Sequence, residues 1–600
     1  MRIIDYYNYI ATAVCIGIGA AAVVIFSKSG NARGRKKESY SWENGIIYLL
    51  LAVIVLVASF LRLYKLGEIP LGLQQDEASI GYEAYALARY GIDRNGYPYP
   101  VYPITFGCGG GSPLLIYVNM FATKLFGTGV YGLRLIPAVC GILTVVLFFF
   151  SLREGFRHGK YDTSRNTIAL CGAAFLAVCP WHVILSRWSL DSNIMPFVLC
   201  LATLLFMIAV RKHSTVMYAL SAAVYAVCMY TYGSATIVIP LTLLFALVYC
   251  LKKRAITVGQ LLISGAVFLV IFMPLLVFYG VNYLGLPEIH TGFFTVNRFT
   301  ASRTGEVFLK FDGTLPAQLF NNIKSFISIV TFGDDSDMLC HFIPGYSTLF
   351  EFTFPITFLG VVVSFKEVFQ GFNSVTRRDN SYERTMNLGQ TSEDDSRTIN
   401  VIWNSTLAAC IILSLLITAD ISRMVMIFLP LLFFFVKGLA FVSEQSQKLA
   451  SAVLILVMIA SCAFVRDYFR LYNDNTESIF MPTYGEAIKR AYEIAGDDHP
   501  VYSTYEGLSA PYMIALYYTQ YDPAKFAETV VYREPDAEFR IAESFGNFTF
   551  ADLPENILEK QYFDTVFVVA DSELSVFKGK DNYVVENRGK YSVVYPADLE

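Results

Sequence analysis

The chain has 600 residues, of which 55% are hydrophobic and only 16% are charged, and its mean hydropathy is +0.47. Soluble domains carry about 25% charged residues, so this composition excludes an ordinary soluble protein. The formal net charge of −4 gives no reason to expect nucleic-acid binding. Several uncharged stretches exceed the roughly 18 residues that indicate a spanning helix, which predicts a polytopic membrane protein.

The first apolar segment, residues 9–27, is predicted to be a retained span with its amino terminus outside. Its amino-terminal flank is nearly neutral, and a basic cluster follows it (Lys28, Arg33, Arg35, Lys36 and Lys37). A secretory signal has the opposite order, because its positive charge precedes the apolar run. The segment is therefore counted as an extra span that precedes all the others.

Further apolar runs predict about twelve spans in total. The remaining ones lie near 45–64, 133–152, 168–185, 194–211, 216–232, 235–251, 258–279, 345–365, 399–418, 423–441 and 449–465. Residues 113–126 are also apolar, but they are short and Lys124 interrupts them, so we expect an interfacial helix there. The predicted architecture is an all-α membrane bundle with interfacial helices in its first outer loop.

The loops between these spans alternate in charge. One set holds most of the basic residues, including Arg153, Arg157, Arg211, Lys212, Lys252, Lys253, Arg254, Arg377, Arg378 and Lys448. Excess Lys and Arg mark the cytoplasmic side of short loops. The other set therefore faces outward, and it contains two long loops, at about 65–132 and 280–344. We expect a multi-pass protein of the cell membrane, inner or plasma.

The last 135 residues are predicted to form an extracytoplasmic α/β domain. They combine a helical stretch at 484–495 with strand-like runs at 564–570 and 591–595, and about 130 residues suffice for one domain. The chain is thus divided into an extra span with its basic loop (1–44), a main membrane domain (45–465) and this soluble domain (466–600).

The acidic pair Asp76–Glu77 is the first candidate for chemistry, because it follows a span directly and lies in the first outer loop. One interpretation is structural: Asp76 would cap a helix that runs to about Arg89 and stops at Gly91. The other interpretation is catalytic. Transfer of a sugar from a polyprenyl-phosphate carrier needs a carboxylate that takes the proton of an acceptor hydroxyl, and it must happen at the membrane surface.

A second acid, Asp191, stands in a tight outer connection that reads SRWSLDSN from Ser186. It could simply pair with Arg187, four residues earlier. Alternatively, Asp191 lies beside Asp76, where the two share a metal or set each other's pKa, while Arg187 faces a phosphate. Both interpretations stay open on the sequence.

The second long outer loop contains His290, Arg298 and Arg303. Arg298 is the first candidate for the donor phosphate, because a guanidinium can bind phosphate oxygens with two parallel hydrogen bonds. The alternative is a solvated loop arginine. His290 is a weak metal candidate, since a single loop histidine is more often only a hydrogen-bonding residue.

Two stretches carry a family resemblance: LRLYKLGEIPLGLQQDEASIGYEAYALARYGIDRNG and SPLLIYVNMFATKLFGTGVYGLRLIP. They resemble the amino-terminal core of type-C glycosyltransferases, the polytopic enzymes related to protein O-mannosyltransferases and lipid A aminoarabinose transferase. The resemblance implies that Asp76 matches the family's catalytic acid and Asp191 its second-loop acid. The stretch Asn297–Phe299 is similar to a phosphate-contacting segment of the aminoarabinose transferases.

The chain also departs from that subfamily. Gly110, Gly111 and Ser112 stand where those enzymes carry a Glu-Lys pair, and Phe293 replaces a histidine. These differences leave the sugar and any bound metal open.

The resulting hypothesis is an inverting membrane glycosyltransferase. It would move a sugar from a polyprenyl-phosphate donor to an extracytoplasmic hydroxyl on a protein, a lipid or a cell-wall glycan. The candidate catalytic residues are Asp76, Glu77 and Asp191, and the candidate phosphate ligands are Arg298, Arg187 and Arg303. A divalent cation at Asp76, Asp191 or His290 remains open. The alternatives are a polymerase or ligase of lipid-linked glycans and a transporter or flippase.

Overall fold

The computed structural model of the protein describes residues 2–28, 44–107, 109, 111–157, 159–300, 308–335, 338–378, 388–553 and 564–599. Sixteen α-helices form the amino-terminal three quarters of these residues, and a mixed α/β domain follows. Most of the predicted basic cluster after the first span, as well as Arg303, lies outside the described residues.

The helices of the membrane region follow each other with short connections. Their bounds are α1 Ile3–Lys28, α2 Asn44–Leu63, α3 Gln75–Arg89, α4 Pro113–Phe126, α5 Val130–Gly155, α6 Arg165–Val178, α7 Pro180–Leu185, α8 Met195–Lys212, α9 Thr215–Cys228, α10 Ala235–Lys252, α11 Val258–Tyr283, α12 Leu315–Ile327, α13 Phe354–Arg378, α14 Leu388–Leu416, α15 Phe428–Gln445 and α16 Gln447–Phe480. A two-stranded hairpin, β1 Ile289–His290 and β2 Thr295–Val296, lies in the second long loop.

In the described part of the chain, 10 helices are long and apolar enough to cross a membrane. They correspond to predicted spans, and two further predicted spans are the 14-residue helices α6 and α9. The run predicted as one span at 168–185 is broken between α6 and α7. Cys179 is extended there because a residue that precedes proline, here Pro180, avoids helical backbone angles.

The final span differs from the prediction in length. Helix α16 does not end near residue 465 but continues to Phe480, for 34 residues in all. Such a helix is about 51 Å long, whereas a bilayer core is about 30 Å thick. Its last turns therefore extend beyond the membrane and lead directly into the carboxy-terminal domain.

The loops gather at two opposite ends of the bundle as their charges predict. At one end, the loops predicted to be cytoplasmic meet: Arg211 forms an ion pair with Glu154, and Asn400 Nδ2 donates to Gly155 O at 2.8 Å. At the other end, α3 and α4 pack against each other and against the carboxy-terminal domain. Helix α4 is thus an additional surface helix and not a span.

The carboxy-terminal domain is built on a seven-stranded sheet with the order β4-β5-β6-β3-β7-β9-β8. The strands are β3 Val501–Ser503, β4 Val531–Tyr532, β5 Ala542–Phe545, β6 Phe548–Phe550, β7 Val566–Ala570, β8 Tyr583–Asn587 and β9 Tyr591–Pro596. Helices α17 Tyr484–Ala495, α18 Pro511–Thr519 and α19 Pro523–Thr529 complete it. The predicted helix and both predicted strands are present at α17, β7 and β9. Strand β3 is parallel to β6 and β7, and the other neighbours are antiparallel.

Helix α18 joins this domain to the membrane region by packing on α3. The Tyr82 hydroxyl donates to Tyr521 O at 2.8 Å, and the Tyr85 hydroxyl donates to Gln520 O at 3.0 Å. A Cβ atom at Gly81 would lie 2.5 Å from the Tyr517 ring, so only glycine allows this approach. The domain is therefore held directly against the loop that carries Asp76.

Candidate active site

A cavity of about 250 Å³ opens where α3 meets the carboxy-terminal domain. Its wall includes the carboxylates of Asp76, Asp191 and Asp420. His341 and Arg423 line it as well, and Phe539 reaches it from the carboxy-terminal domain. The cavity thus brings together residues from seven separate segments of the chain.

Asp76 lies in the first turn of α3, but it does not cap this helix. The cap is Gln74, whose side-chain oxygen accepts the backbone N–H groups of Asp76 and Glu77. The Gln74 amide also donates to Asp76 Oδ2 at 3.2 Å. The helix ends at Arg89, and Gly91 has φ +75°, as its predicted role in the helix stop requires. The structure therefore replaces the capping interpretation of Asp76 with a cavity-lining carboxylate.

Asp191 starts a single 3-10 turn before α8 and is nearly buried, with 7% of its surface exposed. Its Oδ2 accepts the backbone N–H of Ser112 at 3.1 Å and the Ser112 hydroxyl at 2.9 Å. Its Oδ1 accepts the N–H of Ser192 at 2.8 Å. Asp191 faces the same cavity as Asp76, and the two carboxylates are close enough to repel each other. Asp191 thus lies beside Asp76, as one of the two interpretations predicted. It does not pair with Arg187, which was the other interpretation.

Glu77 points away from the cavity. Both of its carboxylate oxygens bind Arg134 of α5 at 2.8 Å, and both side chains are fully buried. Glu77 Oε1 also accepts the N–H of Ser189 at 2.9 Å. This arrangement corrects the prediction of a catalytic role for Glu77, because its acceptor positions are occupied by structural partners. Glu77 instead links the start of α3, next to Asp76, to Arg134 of α5 and to Ser189, two residues before Asp191.

Arg187 is also buried, and its donors are used within the protein. Its guanidinium donates to the carbonyl oxygens at the end of α2 and the following turn, and its Nε donates to the Tyr468 hydroxyl at 2.9 Å. The ring of Phe469 covers the same group at 5.2 Å. The predicted contact of Arg187 with phosphate is therefore wrong, because last-turn carbonyls need these donors.

The candidates of the second long loop lie outside the cavity wall. Arg298 is exposed, and its backbone N–H donates to Glu288 Oε1 at 2.9 Å. His290 is exposed too; it lies 3.3 Å from Glu288 and stacks on Tyr97. His290 is thus not among the residues that line the cavity with Asp76 and Asp191. Arg303 lies outside the described residues, so its predicted role is not tested.

Sequence reasoning missed a second group of polar residues at the cavity. His341 comes from the loop before α13 and is backed by Asp335, whereas Asp420, Ser422 and Arg423 come from the connection between α14 and α15. Arg423 Nε binds Asp420 Oδ2 at 2.9 Å, and Arg423 is the single Arg or Lys among the described lining residues. A signal existed, since the stretch ADISR places three polar residues between two spans.

The surroundings of His341 favour its charged form. Burial opposes protonation, but the neighbouring Cys340 and the Asp335 carboxylate outweigh burial and raise the pKa of His341 well above its usual value. Burial also raises the pKa of Asp420, against the opposing effect of Arg423. Two groups of the wall, His341 and Arg423, can thus offer positive charge to an anion.

Aromatic side chains complete the cavity, among them Phe106, Trp188 and Tyr232. Trp188 is 1% exposed, and its indole N–H has no hydrogen-bond partner among the described residues. Buried donors are rarely left unsatisfied, so this N–H is a candidate donor to a bound ligand. Among the described residues, no group of three or more His, Cys, Asp or Glu side chains is arranged to hold a metal ion.

Comparisons with known proteins give one family match and several similar solved structures. Residues 111–278 match the family of dolichyl-phosphate-mannose-protein mannosyltransferases. ArnT from Cupriavidus metallidurans, solved bound to undecaprenyl phosphate, has a TM-score of 0.52 at 13% identity over 93% of this chain and 99% of ArnT. The apo state of the same ArnT has a TM-score of 0.51 at 15% identity, over 92% of this chain and 98% of ArnT. The apo oligosaccharyltransferase of Archaeoglobus fulgidus has a TM-score of 0.44 at 13% identity, over 80% of this chain and 64% of that one. No curated protein sequence matches the chain.

The likeness to ArnT covers nearly the whole chain, including the carboxy-terminal domain, so the fold is that of the type-C glycosyltransferases. The resemblance predicted from the sequence is confirmed. The fold and the family match over residues 111–278 make the chain similar to the multi-pass membrane glycosyltransferases of the type-C kind. Within this class, the mannosyltransferase match covers the segment with α4, α5 and Asp191.

Proposed function

We propose that the protein transfers one sugar from a polyprenyl-phosphate donor to an acceptor hydroxyl, with inversion at the anomeric carbon. The observation that carries this proposal is the presence of Asp76, Asp191 and Arg423 in one cavity at the end of a membrane bundle. ArnT, which has the same fold, was solved with undecaprenyl phosphate. A cavity at the bundle end suits a donor whose lipid cannot leave the bilayer.

In the proposed reaction Asp76 is the general base. The acceptor oxygen attacks the anomeric carbon on the face opposite the phosphate, and Asp76 takes its proton. The bond between the anomeric carbon and the phosphate oxygen breaks, and its electron pair stays on the phosphate. Gln74 positions the Asp76 carboxylate through its amide at 3.2 Å. Asp191 lies next to Asp76, and in its ionised form it favours proton uptake by this base.

The phosphate is assigned to Arg423 instead of Arg187 and Arg298. Arg423 lines the cavity with its side chain 24% exposed, so part of the guanidinium is open to a ligand. Positive charge near the leaving oxygen stabilises the charge that develops as the glycosidic bond breaks. Trp188 lines the cavity and contributes an indole N–H with no partner among the described residues, which is suited to a sugar hydroxyl.

The carboxy-terminal domain is proposed to shape the entry of the acceptor. Phe539 lines the cavity, and the next residue, Arg540, donates its N–H to Phe106 O at 2.9 Å. The loop between β4 and β5 thus forms part of the cavity rim. Because basic loops collect at the opposite end of the bundle, we assign the cavity to the extracytoplasmic side. The acceptor is then a hydroxyl of a protein, a lipid or a cell-wall glycan outside the cytoplasm.

The experiment uses the purified full-length protein in detergent with a panel of radiolabelled polyprenyl-phosphate sugars, with and without a chelator. We expect Asp76→Asn to reduce transfer at least about 100-fold, because general-base catalysis contributes that much. Asp162→Asn is the matched control, since Asp162 is an exposed partner of Arg165 and does not line the cavity. Equal turnover by wild type and Asp76→Asn would remove Asp76 from the mechanism.

The same assay separates the rival functions. A flippase shows no transfer product when donor and acceptor share one compartment. A polymerase or ligase of lipid-linked glycans uses oligosaccharides on a diphosphate carrier and leaves single sugars on polyprenyl phosphate untouched. Activity that falls with the chelator and returns with a divalent ion would assign a metal to the site.

A further inference from the structure

A continuous hydrogen-bonded chain of three side chains leads from the protein interior to the cavity wall. Asp335 Oδ2 lies 2.6 Å from His341 Nδ1, and His341 Nε2 lies 3.1 Å from the Ser422 hydroxyl. The backbone N–H of Ile421 also donates to Asp335 Oδ2 at 3.2 Å. His341 and Ser422 line the cavity with 2% and 5% of their surfaces exposed. The chain thus ends on a hydroxyl at the ligand space.

The surroundings hold this chain in one geometry. The Trp188 ring stacks on the His341 ring, with their centroids 5.8 Å apart and their planes at 29°. On the other side, Asp420 binds both the side chain and the backbone N–H of Arg423, next to Ser422. Ser422 and Arg423 are consecutive, so the hydroxyl and the guanidinium approach the same part of the cavity.

The connectivity Asp-His-Ser also occurs in serine hydrolases, where the serine is a nucleophile. That chemistry needs backbone N–H groups that bind an oxyanion, and the residue after the serine commonly supplies one. Here the N–H of Arg423 donates to Asp420 Oδ1 at 2.6 Å and is therefore not available. The geometry instead suits proton donation, with a charged imidazole behind the hydroxyl and a guanidinium beside it.

We propose that Ser422 relays a proton from His341 to the departing polyprenyl phosphate. The inference rests on the proposed glycosyl transfer. It adds a general acid for the leaving phosphate to the general base Asp76. As the glycosidic bond breaks, the Ser422 hydroxyl gives its proton to a phosphate oxygen and takes the Nε2 proton of His341. The lipid phosphate leaves as a monoanion, and the imidazole becomes neutral. The proton that Asp76 took from the acceptor balances the reaction, and solvent exchange resets both groups.

In this scheme Ser422 contacts the substrate, whereas His341 and Asp335 are positioning residues. The titratable and charged groups that face His341 are Asp335 and Cys340 from its own loop and Asp420 and Arg423 from the connection before α15. The two carboxylates favour the charged imidazole and Arg423 opposes it. We therefore expect the rate to fall at alkaline pH, where His341 loses its proton.

The test compares Ser422→Thr with Ser422→Val in the full-length protein, since these side chains have the same shape and differ in the hydroxyl. With a polyprenyl-phosphate sugar as donor, we expect Ser422→Val to lower kcat about 100-fold with KM within about twofold, and Ser422→Thr to recover most of the rate. His341→Gln should lower kcat and abolish its alkaline fall. Ser461→Ala is the control, because this buried hydroxyl donates to Val457 O in α16, away from the cavity.

Each outcome has one meaning. Wild-type kcat and pH profile in Ser422→Val or His341→Gln overturn the relay and leave the transfer reaction intact. Absence of transfer by the wild type with every donor overturns the proposed function itself. If Ser422→Val does not fold, the pH profile of His341→Gln decides, because loss of structure lowers the rate at all pH values whereas loss of the relay removes the alkaline fall.

Discussion

Gln74 binds both the backbone and the side chain of Asp76. Its oxygen accepts the N–H groups that open α3, and its amide donates to Asp76 Oδ2 at 3.2 Å. A helix cap is thus combined with the orientation of the proposed base. Asp76 itself, which the sequence presents as the natural cap, is directed into the cavity.

Replacing this residue is expected to affect both stability and rate. Gln74→Ala should lower the free energy of unfolding by about 1 kcal/mol, the usual value of an N-cap. It should also lower kcat severalfold, because the Asp76 carboxylate loses a donor. Thermal unfolding in detergent and transfer kinetics measure the two effects. Gln74→Ser restores a cap but no amide, so it should recover stability more than rate. Full recovery of both would limit Gln74 to capping.

Arg423 and Arg298 make opposite predictions for the donor phosphate. Arg423→Ala should weaken donor binding by about 2 kcal/mol, or roughly 30-fold in KM, since a hydrogen bond to a charged group contributes about 1.5–3 kcal/mol. Arg298→Ala, on the exposed loop, should change KM by less than about twofold. Steady-state kinetics with varied donor concentration measure both. A larger effect at Arg298 would instead mean that its loop closes over the cavity when the donor binds.

Glu77 and Arg134 should affect folding and not chemistry. Removing one partner of a buried ion pair costs about 3–5 kcal/mol, because the other charge is left buried and unpaired. Glu77→Gln is therefore expected to lower the yield and the melting temperature, while the folded fraction keeps a kcat close to that of wild type. Fluorescence-detected size exclusion and kinetics corrected for active protein check this. A stable but inactive Glu77→Gln would return Glu77 to the list of catalytic residues.

The carboxy-terminal domain contains a pH-sensitive ion pair. Hydrogen bonding to Arg490, together with Arg588 and Tyr595, outweighs burial and lowers the pKa of Glu586 to about 2 from its usual 4.5. A lowered pKa in the folded state stabilises the fold above the unfolded value, and the benefit is lost as pH falls toward the folded value. The melting temperature of Glu586→Gln should thus lie below that of wild type at pH 5 and above, and the gap should narrow as pH falls toward 2.

The control for that measurement is Glu493→Gln. Glu493 also faces Arg490, but at 3.9 Å and with its side chain 52% exposed, so its removal should change stability little. A gap between wild type and Glu586→Gln that stays constant over the acidic range would contradict the assignment to Glu586.

The sequence was sufficient for the membrane architecture because its signals are local. Apolar runs such as 235–251 and 399–418 must become helices in a bilayer, where each backbone group needs a partner within its own segment. The basic loops alternated with the spans, and the short apolar run at 113–126 is a surface helix as its length predicted. The acids Asp76 and Asp191 could be proposed because each stands in a loop next to a predicted span, on the side predicted to be outside.

The roles of individual site residues depended on contacts that no local pattern contains. Arg187 seemed available for phosphate, yet α2 ends beside it with carbonyl groups that need donors. Glu77 seemed to share a function with Asp76, yet adjacent helix positions point in different directions. Glu77 therefore binds Arg134, whereas Asp76 faces the cavity. His341 and Ser422 lie 81 positions apart and meet only because two loops pack together.

The amino-acid sequence by itself determined the spans, their alternation and the two carboxylates, since hydrophobicity and charge act on each segment separately. The tertiary structure alone decided which polar side chains are satisfied by buried partners and which face the cavity. The physical reason is that a buried donor or acceptor must find a partner, and only the packing of distant segments determines whether that partner is the protein or its ligand.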